Sequence, residues 1–158
     1  MSAPNPVIGV DVRGVDQVIA SLRALGQDIT EQVELAVEAT ALEALTTVRK
    51  AIQGPPKTGR EYRRGKKGKI VHRASAPGEA PATDTGALVS STYFTKVDPF
   101  TAAIGSRLAY AFHLEFGTRR MAKRPSWVPA AEKAAPRLQK RIERVIREAA
   151  ARAQKGTA

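Results

Sequence analysis

The sequence predicts an α+β fold: a small antiparallel sheet packed by N-terminal helices and a C-terminal amphipathic helix, with a long basic loop. Apolar residues recur at helical spacing toward both ends of the chain, and two strand-like segments flank Pro99. Between the first helices and this sheet, residues 54–83 are rich in glycine, proline and basic residues. The length of 158 residues suits one domain, expected over 1–153 and followed by a flexible tail at 154–158.

The N-terminal third of the chain predicts one strand and two helices. Residues 7–12 favour a short strand, and Asp16 is placed to cap a helix that ends near Leu25. A second helix is expected to run to about Gln53, because its apolar side chains form a broad stripe at helical spacing. The sequence Gly54-Pro55-Pro56 then ends this helix, since proline cannot continue it.

Residues 54–83 form the predicted basic loop, with a brief hairpin around Lys69–His72 as one option. A loop of this length in a compact domain is usually either functional or disordered. Tyr62 stands beside Arg63 and Arg64, which suits an interface anchor or stacking on a nucleic-acid base. Because like charges, glycine and proline dominate here, we expect the loop to be mobile in the free protein and to order on assembly.

A short helix and the two strands of the sheet are expected after the loop. Asp84 is placed to cap a helix through Ala87–Val89. Residues Thr92–Asp98 and Thr101–Ser106 then carry apolar side chains that supply the faces of two paired strands.

The C-terminal region predicts a helix from about Val128, with Pro136 expected to break it, kink it or start a second helix. Beyond this proline, the apolar side chains form a stripe opposite a basic face. The members of the stripe are Leu138, Ile142, Val145, Ile146 and Ala149. This pattern favours a helix that packs on the core and exposes its basic face to solvent.

The net charge of +11 is unevenly distributed. Residues 1–53 carry −3 and residues 74–118 carry −2, whereas residues 54–73 carry +7 and residues 119–158 carry +9. A basic excess in two segments favours an acidic protein surface or a nucleic-acid backbone as the partner, and does not separate the two.

The composition also excludes several classes of protein. Cysteine is absent, which excludes disulfides and thiolate chemistry and fits assembly in a reducing cytoplasm. No apolar run approaches the roughly 20 residues that span a bilayer, so no membrane association is expected. The first residues lack the basic segment and apolar core of a secretion signal.

The segment Tyr110–Phe116 is ambiguous in its secondary structure. Aromatic and aliphatic residues alternate with other residues, which suits a half-buried strand. Apolar residues at 108, 112 and 116 also suit a short helix.

The turn that follows, within HLEFGTRRMAKRPSWVPA, is the most informative part of the chain. Gly117 is expected where a side chain is poorly tolerated, through positive φ or close backbone approach. Thr118 suits hydrogen bonding within a turn. Ser126 is a candidate cap for the last helix, and Trp127 favours an anchor that packs this helix on the body, with a partner-facing role as the alternative.

Glu115 is expected to fix this turn or a neighbouring subunit by accepting hydrogen bonds, with Arg119, Arg120 or Arg124 as donors. These basic residues are too dense to bury together, so the turn should face solvent or a partner. Combined with the loop, they give the candidate interaction residues: Tyr62, Arg63, Arg64, Glu115, Phe116, Gly117, Thr118, Arg119, Arg120, Arg124 and Trp127.

The sequence offers no catalytic, cofactor or metal site. His72 and His113 lie far apart without a metal-ligand pattern, and no phosphate-binding or dinucleotide motif is present. The scattered carboxylates Asp11, Asp16 and Glu115 do not form a recognisable two-metal arrangement. We therefore expect a protein that is not an enzyme.

Two segments resemble the gene-product-ten-like family of siphophage neck and tail-completion proteins. The first, TGREYRRGKKGKIVHRASAPGEAPATDTGALVSS at Thr58–Ser91, is similar to that family's TG-x-x-Y-basic loop, its ASAPGE-x-PA segment and its DTG-x-L helix start. The second, YAFHLEFGTRRMAKRPSWVPA at Tyr110–Ala130, resembles its EFGT turn and Pro-Ala helix opening. The chain departs from the family pattern at one point. The family usually places an aromatic residue directly after the proline, whereas here Ser126 lies between Pro125 and Trp127. This insertion puts in doubt the shape of the pocket in which the family anchors that aromatic residue.

The resemblance implies a structural virion protein at the head–tail junction, assembled in the host cytoplasm, that acts in tail completion or head-to-tail joining. It also implies a ring of copies, with six-fold symmetry expected, between neighbouring neck and tail proteins such as a stopper or adaptor, the tail terminator and the tail tube. A role as the tail terminator that caps the tail tube, and nucleic-acid binding, including contact with DNA in the channel, remain alternatives. From the charge distribution we expect acidic residues of 1–53 to meet basic residues of 119–158 between copies.

Overall fold

The computed structural model describes residues 27–54, 56–68 and 70–155, so the predicted strand at 7–12 and helix at 16–25 lie outside the described residues. Within these ranges it confirms a mixed fold of four helices and two antiparallel two-stranded sheets. The elements in chain order are α1 (Gln27–Gln53), β1 (Glu61–Arg64), β2 (Ile70–Arg73), α2 (Ala87–Ser90), β3 (Thr92–Asp98), β4 (Thr101–Ser106), α3 (Tyr110–Phe116) and α4 (Trp127–Lys155).

Helix α1 and the sheet of β3 and β4 have the predicted bounds. Helix α1 ends at Gln53, immediately before the Gly-Pro-Pro sequence. Strands β3 and β4 pair in antiparallel register, with Thr92 opposite Ser106 and Phe94 opposite Ile104. The buried residues of β4 are consecutive, from Ala103 to Ser106, so burial does not alternate along this strand.

The predicted loop at 54–83 contains a longer hairpin than expected. Strands β1 and β2 pair with Tyr62 opposite His72 and Arg63 opposite Val71, and a short 3-10 turn at Lys66–Gly68 lies between them. The expected ordering of this segment on assembly stays a prediction.

Helix α4 continues through Pro136, so the expectation of a break at this proline is wrong. A proline inside a helix costs about 3 kcal/mol, because it removes one hydrogen bond and crowds the preceding turn. Packing on both sides of the proline offsets this cost. Ala130 and Ala134 pack in one apolar cluster before it, and Val145 packs in a second cluster after it.

The two apolar clusters show that α1 and α4 run antiparallel along each other. The first cluster joins the C-terminal half of α1 to the start of α4, with Val48, Ile52 and Trp127 almost fully buried. The second joins the start of α1, at Ile29 and Val33, to Val145 near the end of α4. The sheet closes the first cluster through a single buried residue, Ile104, so the C-terminal helix and the sheet share one core.

The segment Tyr110–Phe116 is a helix rather than a strand. Its two buried residues, Ala111 and Glu115, are four positions apart, which is the spacing of one helical face. At the start of α2, Gly86 occupies the N-cap position in the left-handed region with φ of 78°, and the hydroxyl of Thr85 accepts the amide of Ala87 at 3.3 Å. The N-cap residue is therefore Gly86 and not Asp84, which lies two positions earlier.

Opposite charges predicted to meet between copies are partly paired inside one chain. Glu43 of α1 forms an ion pair with Arg141 of α4, and Arg137 lies 3.8 Å from the same carboxylate. Lys96 of β3 lies 2.7 Å from Glu38 and 3.1 Å from Glu34. These pairs hold α1 to its neighbours in the fold and leave fewer of its carboxylates for a second copy.

Candidate interaction surface

The buried carboxylate of Glu115 organises the EFGT turn and the start of α4. Its side chain is 2% exposed and accepts three backbone hydrogen bonds from the first residues of the helix. Oε2 accepts the amide of Ser126 at 2.7 Å and that of Trp127 at 3.1 Å, and Oε1 accepts the amide of Val128 at 2.7 Å. A negative charge at a helix N-terminus satisfies amides that lack partners in the helix and complements its dipole.

This arrangement confirms that Glu115 accepts hydrogen bonds, and it corrects the expected donors, which belong to the start of α4. Backbone amides, rather than the side chains of Arg119, Arg120 or Arg124, donate hydrogen bonds to the carboxylate. The expected cap at Ser126 is also wrong. Its hydroxyl is buried without a hydrogen-bond partner among the described residues, because the carboxylate takes the helix amides first.

Gly117 meets both conditions that the sequence predicted for it. Its φ is +79°, in the region that favours glycine. A Cβ at this position would lie 2.8 Å from the carbonyl oxygen of Met121 and 3.0 Å from the amide nitrogen of Lys123. Thr118 follows in a tight turn, where its amide donates to the carbonyl of Met121 at 2.8 Å. The hydroxyl of Thr118 accepts the amide of Arg120 at 3.2 Å, as its residue type predicted.

The basic residues of the turn divide into two kinds. Arg119 and Arg120 are exposed at its tip. Arg124 is half-buried, and its Nε donates to the carbonyl of Ser75 at 3.1 Å while its Nη1 donates to that of Ala122 at 3.2 Å. Arg124 therefore fastens the turn to the preceding segment, and Arg119, Arg120 and Lys123 are exposed at the surface.

A second hydrogen bond joins the same two segments. The amide of Gly78 donates to the carbonyl of Lys123 at 2.9 Å. Together with the contact of Arg124 to Ser75, it brings the ASAPGE sequence against the EFGT turn. Residues that lie more than 40 positions apart thus form one continuous surface.

Two exposed phenylalanines lie on helix α3 beside the turn. Phe112 is 42% exposed and Phe116 is 53% exposed, and their ring centroids are 4.8 Å apart. Phe116 was predicted from the sequence as an interaction residue, and Phe112 was not. The signal was present in their spacing of four residues, but it counts only once the segment is known to be a helix.

An open cavity of about 310 Å³ lies between the ASAPGE segment, α2, α3 and the turn. Leu88, Leu114 and Met121 supply apolar lining, and Arg124 and Tyr110 add polar groups. Partial burial raises the pKa of the Tyr110 hydroxyl. At the rim, Nδ1 of His72 lies 3.8 Å from a carboxylate oxygen of Asp84. No local sequence pattern indicates this cavity, because its lining comes from distant segments.

The hairpin residues lie beside this cavity. Tyr62 is 46% exposed, with the Arg60 guanidinium 5.5 Å from its ring centroid, and Arg63 is exposed. Because Tyr62 is directly opposite His72, both side chains lie on the same face of the hairpin. The side chain of Arg64 lies outside the described residues.

Trp127 is a core residue, as the anchoring interpretation predicted. Its side chain is fully buried within the chain, in the first apolar cluster. Its indole Nε1 has no hydrogen-bond partner among the described residues. The alternative of a partner-facing Trp127 is therefore excluded for this conformation.

The described residues contain no group of three or more His, Asp or Glu side chains placed to hold a metal ion. Within the same ranges, no helix is long and apolar enough to cross a membrane. Comparison with protein-family models, with curated proteins and with solved structures found no match to this chain.

Proposed function

We propose that this chain is a structural protein of the neck of a tailed bacteriophage, without enzymatic activity, acting in tail completion or head-to-tail joining as a component of a ring. One observation carries the proposal. The two segments that resemble neck proteins, at Thr58–Ser91 and Tyr110–Ala130, pack against each other through Arg124–Ser75 and Gly78–Lys123 hydrogen bonds. A resemblance confined to two separate segments has a simple explanation if both build one docking surface.

The geometry of the turn supports a docking role. The turn is closed by the Thr118–Met121 backbone hydrogen bond and fastened by Arg124 to Ser75, and Glu115 fixes the start of α4 that follows it. Its tip therefore has little conformational freedom to lose on binding. At that tip, the exposed Arg119 and Arg120 are available to an acidic partner surface. A rigid frame that presents exposed cations suits a joint between proteins.

Electron microscopy of particles made without the protein tests this proposal. If the chain joins heads to tails, particles lacking it should accumulate as filled heads and separate tails of normal length. Addition of the purified protein should restore joined virions. Normal joined virions without the protein would overturn the proposal.

The same micrographs separate the tail-terminator alternative. A terminator stops growth of the tail tube, so its loss should give tails of uncontrolled length. Unjoined tails of normal length favour the joining role, and overlong tails favour the terminator.

Nucleic-acid binding is the second candidate, and the exposed Tyr62 beside Arg60 and Arg63 favours it. Phosphate contacts lose affinity steeply and log-linearly as salt rises, whereas an apolar protein interface responds less. Binding of the purified protein to duplex and single-stranded DNA, measured between low and physiological salt, distinguishes the candidates.

A further inference from the structure

One face of helix α1 is exposed to solvent from Glu31 to Gln53. The exposed side chains described on this helix are those of Glu31, Leu35, Ala39, Leu42, Thr46, Arg49, Lys50 and Gln53. With about 100° of rotation per residue, all of these positions fall within an arc of roughly 100°. The other side of the helix carries the residues that α1 gives to the two apolar clusters. The exposed arc is therefore one continuous surface, the outer face of α1.

The centre of the outer face is apolar. Leu35 is 58% exposed and Leu42 is 48% exposed, and they lie two turns apart on the helix. Ala39 and Thr46 lie beside them, so the positions 35, 39, 42 and 46 alternate steps of four and three residues. Helices that pack along each other in a coiled coil use this spacing for their seam. Because α1 packs against α4 and the sheet through its other side, this second seam has no partner within the described residues.

The outer face is complementary to a copy of itself that runs in the opposite direction. When position 39 of one helix is placed opposite position 42 of the other, position 35 meets position 46. Each leucine then faces a small side chain, either Ala39 or Thr46, rather than another leucine. Large and small side chains that alternate across a contact interdigitate at close packing. A second copy of α1 therefore fits this face in one particular antiparallel register.

The two ends of the outer face carry opposite charges. Glu31 is exposed at one end, and Arg49 and Lys50 are exposed at the other. An antiparallel pair brings the acidic end of each helix beside the basic end of its partner, whereas a parallel pair brings like charges together. Arg49 also donates hydrogen bonds to Thr92 in its own chain, so Lys50 is the cation on which this pairing mainly depends.

The carboxylates on either side of the outer face are neutralised within the chain. Glu34 and Glu38 lie along one edge, and their carboxylates are 3.1 Å and 2.7 Å from the Nζ of Lys96. Glu43 lies along the other edge and forms an ion pair with Arg141. A second copy therefore meets ion pairs along both edges of the face, and not rows of unpaired carboxylates that would repel its own.

We propose that the free protein forms a symmetric dimer, in which the outer faces of α1 from two copies pack antiparallel with Ala39 opposite Leu42. Such a contact is isologous, because both copies give the same face. A ring needs a heterologous contact between two different faces, so this dimer is separate from the proposed neck ring. The inference does not rest on the proposed function. A monomeric protein would leave that function standing, and a dimer would not establish it.

Sedimentation velocity of the purified full-length chain over a range of concentrations measures the dimer. Leu35→Asp and Leu42→Asp each bury a charge in the contact twice, once from each copy, so each should lower the association constant at least about tenfold. Val71→Asp is the matched control and should leave the constant unchanged, because Val71 is 54% exposed on β2 and lies outside the outer face. Circular dichroism should show the natural fold in all three variants, since the replaced side chains are exposed.

Two results of this experiment would overturn the dimer. The first is a natural chain that sediments as a monomer up to the highest concentration at which it stays soluble. The second is an association constant that Leu35→Asp and Leu42→Asp leave as high as Val71→Asp does, because the contact then lies elsewhere on the molecule.

Directional cross-linking tests the antiparallel register, and the natural chain contributes no cysteine of its own. Leu35→Cys alone should not link to itself through a short bismaleimide, because the two copies of position 35 are roughly 16 Å apart along the helix axis. A mixture of Leu35→Cys with Thr46→Cys, incubated to exchange subunits, should give the linked dimer, because these positions meet across the contact. A Leu35→Cys protein that links to itself, with no further product in the mixture, would indicate a parallel pair and overturn the proposed contact.

Discussion

The carboxylate of Glu115 accepts the backbone amide of Trp127 at 3.1 Å, which ties the end of one helix to the first residue of another. Both side chains are almost completely buried. The contact places the polar start of α4 and its largest apolar side chain at the same point. The cap of α4 and the packing of the core around Trp127 therefore depend on each other.

Glu115→Gln should destabilise the fold by about 2–3 kcal/mol, because it removes the charge from three hydrogen bonds and turns an amide group toward buried donors. Urea unfolding followed by circular dichroism measures this loss. Glu132→Gln on the exposed side of α4 is the matched control and should change stability by less than about 0.5 kcal/mol. Equal stability of the two variants would contradict the capping role.

Gly117→Ala should cost about 2–3 kcal/mol, because its positive φ is combined with a close approach to the carbonyl of Met121. Gly78→Ala is the matched control, since Gly78 has φ of +85° but an added Cβ would meet nothing within 4 Å. A larger loss of stability at Gly117 than at Gly78 shows that positive φ alone does not account for the cost. If both substitutions cost the same, close approach does not explain this glycine.

Local sequence rules predicted the elements whose causes are local. The Gly-Pro-Pro sequence ends α1 at Gln53, and the apolar residues on either side of Pro99 predict β3 and β4, because each signal lies within the element or next to it. The same rules wrongly predicted a break at Pro136, because packing against α1 before and after this proline offsets its cost in the helix. The helical form of Tyr110–Phe116 was undecidable from its pattern, and burial of Ala111 with Glu115 decides it.

The sequence predicted several residues of the candidate site, but it did not predict most of the contacts that these residues make. Gly117, Thr118 and the acceptor role of Glu115 follow from residue type, and the structure confirms them. The residue that caps α4 is Glu115, which lies 11 positions before Ser126. Sequence rules for helix caps consider only residues next to the helix, so they could not predict this cap. The cavity is lined by segments that are far apart in the sequence, so no local pattern predicts it.

Trp127→Ala should cost roughly 3–5 kcal/mol, the usual range for a fully buried large aromatic side chain. Exposure of the cavity left behind should promote aggregation on heating. Trp127→Phe should cost less, because it keeps an aromatic ring and removes a buried indole N–H without a partner among the described residues. A Trp127→Ala protein with natural stability that fails only in assembly would contradict the anchoring role.

Glu79 should hold the ASAPGE segment in a pH-dependent manner. Its carboxylate accepts the hydroxyl of Thr58 at 2.6 Å and the amides of Ala76 at 2.8 Å and Thr58 at 3.1 Å. The hydrogen bond from the Thr58 hydroxyl is the main cause that lowers its pKa from 4.5 to about 2. Because the folded-state pKa is depressed, these bonds stabilise the segment fully above about pH 4.5 and are lost as pH falls through about 2.

An NMR titration checks this dependence. The amide signals of Thr58 and Ala76 should shift together with the Glu79 carboxyl, with a midpoint near pH 2. In Glu79→Gln the same amides should show no such transition. A midpoint near 4.5 would show that the carboxylate is not held by these donors.

A cryo-electron reconstruction of the neck of the virion is the decisive test of whether this chain is a neck protein. Density for this chain is expected as a closed ring at the head–tail junction, with one side of each copy meeting a different side of its neighbour. Copies of the EFGT turn should lie at protein contacts within that joint. A neck without this chain, in particles that are otherwise complete and joined, would contradict the account.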